Sequence, residues 1–189
     1  MAICASDCAI TAPAGYAYCF ITSKKGGLAR FAFLACDEDF ADITDDAEWQ
    51  TKIDAGTLTL TGQLAGQKPR GTFTRTKLAA GIPDSVTGKE NTWSFLDFNV
   101  DPLYNAVSPT QRDITFWNTI VQNASKYKVY AIDCENFIHG PVNDFVAEVD
   151  LVIPDNTKEF QRYEGSIMWD GIDILTRTAL GFNINILTA

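Results

Sequence analysis

The fold is decided by Ser108–Cys134, SPTQRDITFWNTIVQNASKYKVYAIDC. Ser108 suits a helix N-cap, Pro109 the first helical position, and Gln111 the reciprocal capping position. Ile114, Trp117, Val121 and Ala124 then recur at helical spacing, and Phe116 and Ile120 widen the stripe. This predicts an amphipathic helix over Pro109–Lys126. Val129, Tyr130, Ala131 and Ile132 follow as a short apolar run, which predicts a strand. Most other segments alternate with period two or read as loops. The expected fold is therefore mainly β (α+β): an antiparallel β sandwich or barrel with one flanking helix and a long extended arm or hairpin.

Working outward, 189 residues fit a single domain, 1–189. A hydrophobic content of 46% is enough for a packed core and argues against disorder. Strands are expected at 16–22, 28–36, 57–61, 92–100, 145–153, 160–169 and 182–187, the first two joined by a turn at 23–27. The phase of TWSFLDFNV slips between Phe95 and Leu96, which predicts a bulge or burial on both faces. Gly165 predicts a break or bulge in FQRYEGSIMW. A second, short helix is expected over Asp45–Ala55, capped by Thr44, with Trp49 and Ile53 on one face.

Gln63–Asn91 stands apart. Glycines and prolines punctuate it, and so long a structureless loop is unusual within a compact domain. It carries Lys68, Arg70, Arg75, Lys77 and Lys89 against Asp84 and Glu90, a net +3 that leaves −12 on the rest of this −9 chain. The expectation is a projecting arm at about 63–91 with little order of its own. Lys68, Arg70, Phe73, Arg75, Lys77, Leu78 and Lys89 are its candidate contacts to another copy, by charge complementarity with the acidic body.

No catalytic constellation emerges. His139 is the only histidine, and His139–Pro141 reads as a turn. The carboxylate pairs Asp133/Glu135, Glu148/Asp150 and Asp170/Asp173 could serve a glycosidase, but Glu148 and Asp150 alternate as on any half-solvated strand. Asp37, Glu38, Asp39 and Asp42 lack the glycine and distal glutamate of an EF-hand loop. The five cysteines, Cys4, Cys8, Cys19, Cys36 and Cys134, form no zinc pattern and are expected reduced and mostly buried. Trp49, Trp93, Trp117 and Trp169 could form a carbohydrate platform, yet each sits in a periodic apolar pattern that favours the core. The reading is no enzyme, no cofactor and no metal. No basic region with an apolar core opens the chain, so no secretory leader is expected, and no run is apolar enough to span a membrane.

The layout of GGLARFAFLAC, of the polar excursion leading into TWSFLDFNV, and of YEGSIMWDG near the end resembles virion structural proteins of tailed bacteriophages, most of all tail tube proteins. The resemblance implies a β sandwich or barrel with a flanking helix. It also implies hexameric rings that stack into a genome-conducting tube, with arms bridging subunits. The implied partners are other copies, other virion proteins, and DNA in transient passage without specific binding. The implied location is the virion, with synthesis in the host cytoplasm. An acidic lumen would repel DNA and remove the counterion-release attraction that stalls it. Other readings are a minor capsid, connector or adaptor protein of a phage, a non-viral carbohydrate-binding β sandwich, and a hydrolase using the carboxylate pairs.

Overall fold

The computed structural model describes residues 27–76, 85–98, 112–155 and 158–187. The expected strand at 16–22, most of its turn to 28–36, the helix start at Pro109–Gln111, and the arm residues Lys77 and Leu78 lie outside them.

Among the described residues, ten strands form one antiparallel, open sheet, so the mainly β expectation holds. They are β1 (Leu28–Ala35), β2 (Leu58–Leu60), β3 (Leu64–Gln67), β4 (Thr72–Thr76), β5 (Ser85–Asp97), β6 (Tyr127–Asp133), β7 (Phe137–Val142), β8 (Val146–Val152), β9 (Arg162–Asp170) and β10 (Arg177–Ala179). Their order is β10-β7-β6-β1-β3-β5-β9-β8, with β2 paired to β1 and β4 to β5.

Helix α1 (Asp46–Asp54) forms one residue later than the sequence suggests. Asp45, not Thr44, accepts from Ala47 N as the cap, while Thr44 is held by Asp42. Helix α2 (Arg112–Gln122) passes through a short 3-10 turn, Ala124–Lys126, into β6. Its buried stripe runs Ile114–Trp117–Ile120–Ala124. Val121, expected in that stripe, is exposed instead.

Alternation sends the sheet's two faces into two cores. On the inner face, Phe31, Phe33, Trp93, Phe95, Val129 and Ile167 pack with Trp117 and Ile120 of α2. The Trp117 ring stacks on Phe95 at 4.9 Å, and Phe31 meets Phe95 edge-on at 5.2 Å. On the outer face the β1–β6–β7 half is covered: Ala32, Leu34, Tyr130, Ile132 and Ile138 pack with Trp49 of α1 and with Leu180 and Ile184.

Several sequence expectations are corrected. The slip in TWSFLDFNV is no bulge. Residues 91–97 pair with β9 in continuous register, and Asp97 takes an inward position that an apolar residue would ordinarily fill. Gly165 is no break either. A Cβ there would meet Phe95 Cζ at 2.5 Å and Glu148 O at 2.8 Å, so glycine permits the close approach of β8, β9 and the Phe95 ring. Phe182–Leu187 is not a strand. Asn183 accepts from Asn185 N and opens a 3-10 turn at Ile184–Ile186, a local bond that competes with the ladder. Cys36 and Cys134 are exposed rather than buried, because each follows the last residue of a strand, β1 and β6 respectively.

Candidate functional site

The excursion divides into two parts. Leu64–Gln67 is no arm: it is β3, paired with β5 at Leu64↔Asp97 through Gln67↔Ser94 and with β1 at Leu28↔Gly66. Thr61, buried between β2 and β3, exchanges hydrogen bonds with the Phe31 backbone and so links the two short strands along β1. The projecting part is the ribbon of β4 with the first half of β5, Thr72↔Glu90 through Thr76↔Ser85. Strand β9 pairs β5 only from Glu90 onward, so Ser85–Lys89 and Phe73–Thr76 lie beyond the last β9 rung. Five residues at roughly 3.4 Å each carry the ribbon on the order of 17 Å past the sheet.

Every residue of β4 is exposed. Phe73 sits between two cations, Lys89 Nζ at 5.4 Å and Arg70 Cζ at 5.9 Å from its ring centroid. Lys68, at the root, lies 5.5 Å from the Trp169 ring and 3.4 Å from Asn91 Oδ1. Desolvation, and then the Lys89 charge, lower its ammonium below the usual lysine range. Asn91 is buried and donates to Gly171 O at 2.9 Å, which anchors the ribbon's base. Of the seven candidate arm residues, the structure thus brings Lys68, Arg70, Phe73 and Lys89 to the ribbon and its root, and Arg75 to its exposed strand.

A second feature is the outer face of β5, β9 and β8. Opposed residues in an antiparallel ladder project to the same side. One row runs Ala65, Leu96, Glu164, Asp150, and the next Gln67, Ser94, Ser166, Glu148. Among the described residues no helix packs on this face. Its small side chains leave a shallow depression of about 480 Å³ beside Leu96 and Glu164. Glu148 and Asp150, predicted together on one strand face, are here and exposed, with no ion-pair partner among the described residues.

The third feature pairs Asp133 with His139, which the sequence reading did not join. His139 lies in β7, not in a turn: the chain turns earlier, at Cys134–Asn136, where Asn136 adopts φ 59°. His139 Nε2 stands 3.1 Å from Asp133 Oδ2, with Arg177 3.5 Å from the same oxygen. Asp133 Oδ1 accepts from Glu135 N and Phe137 N. Burial pushes this carboxyl up, but the hydrogen bonds from Phe137, His139 and Glu135, with the His139 charge, outweigh it and hold the group below the usual aspartate value. The D-C-E-N sequence was the available signal, since aspartate commonly bonds the backbone two residues on. The pair borders a cleft of about 530 Å³ that Lys68 and Trp93 also line. Among the described residues Asp133 is the hydrogen-bond partner of His139, and no hydroxyl or thiol is held against the ring as a nucleophile.

Glu38 pairs with Lys52, Asp39 with Lys128, and Asp42 with Thr44. All four tryptophans are buried, as the periodicity predicts, so none offers a flat sugar platform. No helix among the described residues is long and apolar enough to cross a membrane. Compared with family models, with curated proteins and with solved structures, the chain matches none.

Proposed function

We propose that this chain is a structural virion protein, a tail tube subunit of a tailed bacteriophage, whose copies assemble into stacked rings around a genome-conducting channel, and that it has no enzymatic role. The observation that supports this reading is the β4–β5 ribbon. A two-stranded ribbon has no core of its own and is marginal in water. Here it extends past the sheet with every β4 side chain exposed and an aromatic ring, Phe73, close to two cations near its root. Such an element gains most by covering a neighbour.

The charge balance agrees with the same role. Net charge is −9 and the segment 63–91 is +3, which leaves the rest of the chain at −12. An acidic wall lets DNA pass without counterion-release attraction. The test is negative-stain imaging of the purified full chain. Rings of uniform diameter, or tubes built from them, are expected. Particles of single-subunit size at every concentration would overturn the proposal.

A further inference from the structure

We infer that the outer face of β5, β9 and β8 is the seat for the β4–β5 ribbon of a second copy of this chain, with Phe73 over the depression beside Leu96 and the ribbon cations against Glu148, Asp150 and Glu164. The inference rests on the assembly reading above and names the surface through which assembly proceeds.

The face is half of a sheet whose other half is covered. α1, Leu180 and Ile184 cover the β1–β6–β7 side, while β5–β9–β8 keeps Val146 59% exposed and Leu96 and Met168 half-exposed. Its charges are arranged at a cost. Asp150 stands directly opposite Glu164, and Glu90 opposite Asp170, like charges in register that destabilise a ladder. Arg162 offsets Glu164 at 2.7 Å, but Glu148 and Asp150 have no ion-pair partner among the described residues. Added cations would stabilise this surface.

The ribbon supplies that complement: an aromatic ring for a shallow pit, flanked by Arg70 and Lys89, with Arg75 on the same strand. It cannot supply it to its own face. β5 runs in unbroken register along β9 from Asp97 to Glu90 and then continues outward, so the ribbon leads away from the face of its own sheet. The occupant is therefore another copy. Ribbon and face are different patches, which allows a head-to-tail contact, and such contacts close into rings or run on as stacks.

The experiment is a charge swap followed by sedimentation. One full-length variant reverses the ribbon (Arg75→Glu with Lys89→Glu), and another reverses the face (Glu148→Lys with Asp150→Lys). Each alone should raise the concentration for half-assembly by about tenfold or more, since like charges then meet at every contact. An equimolar mixture should assemble near the wild-type concentration, because each ribbon again meets an opposite face. A chain carrying all four changes should assemble alone. Face-reversed protein that assembles like wild type, or a mixture that stays dispersed, overturns the inference while the assembly reading survives. Wild-type chain that never assembles overturns both.

Discussion

The indole Nε1 of Trp117 donates to Asp97 Oδ2 at 3.1 Å, joining α2 to the end of β5 within the larger core. Both residues are buried, at 3% and 5% exposure. This hydrogen bond helps a carboxyl group occupy an inward strand position, because a buried polar group costs free energy unless it is hydrogen-bonded. Trp117→Ala removes both the donor and the stacked ring. It should lower unfolding free energy by about 3–5 kcal/mol. Trp117→Phe keeps most of the packing but loses the donor, and should cost about 1–3 kcal/mol. Chemical denaturation of the two variants checks the order; a Trp117→Phe variant as stable as wild type would mean that the hydrogen bond contributes nothing.

That residue pair also marks what the sequence could and could not disclose. The periodicity of Ile114, Trp117 and Ala124 and the alternation of the long strands place the helix and most of the sheet, since both patterns report directly on a buried face. Asp97 hid the continuity of β5, because a partner that supports its inward position is an indole twenty residues away. β3 was invisible as a strand: Leu64–Gln67 is four residues long, contains a glycine, and exists because β1 and β5 flank it. The Asp133–His139 contact depends on where a turn falls, and one residue of register decides it. Glycine, proline and charge set 63–91 apart in the sequence, but not its division into β3 and a ribbon; nor was the acidic outer face legible, since it depends on which half of the sheet α1 covers.

Gly165 tests the packing between β8, β9 and β5. Gly165→Ala places a methyl group 2.5 Å from Phe95 Cζ and 2.8 Å from the Glu148 carbonyl, and the backbone oxygen cannot swing aside. A loss of about 1–3 kcal/mol is expected from such overpacking. Gly56→Ala forms a contrast. No atom lies within 4 Å of its added Cβ, and the cost there comes from φ +72° alone. If Gly165→Ala unfolds at the wild-type denaturant concentration, β8 and β9 are not held at this spacing.

Asp133 gives the fold a pH dependence. Its folded carboxyl titrates below its unfolded counterpart. Its contribution is therefore full above the unfolded value, near pH ~3.9, and is lost as pH falls through the folded value. Asp133→Asn should be less stable than wild type at neutral pH. The gap should narrow as pH drops from about 5 to about 2. A gap of constant size over that range would show that the Asp133 charge contributes nothing and that only its shape matters.

Tyr130 acts at the other extreme. Burial, and then the Asp39 charge, push its phenol up to about 12. The folded state then holds a proton that the unfolded state releases above about pH 10, so stability falls as pH rises from there. Tyr130→Phe should flatten that alkaline loss in thermal melts, and an unchanged alkaline slope would assign the loss to other groups.

The central claim is that the chain is an assembly subunit joined through its ribbon, and sedimentation velocity of a ribbon deletion tests it most directly. Residues 70–89 are replaced by a short glycine-serine link, which leaves β3 and the β5–β9 ladder from Glu90 onward intact. The intact chain should sediment as a large, concentration-dependent species. The deletion should retain the strand-rich circular dichroism of the parent and sediment as a single subunit. A deletion that assembles at the same protein and salt concentrations as the intact chain would contradict the account and place the assembly contacts outside the ribbon.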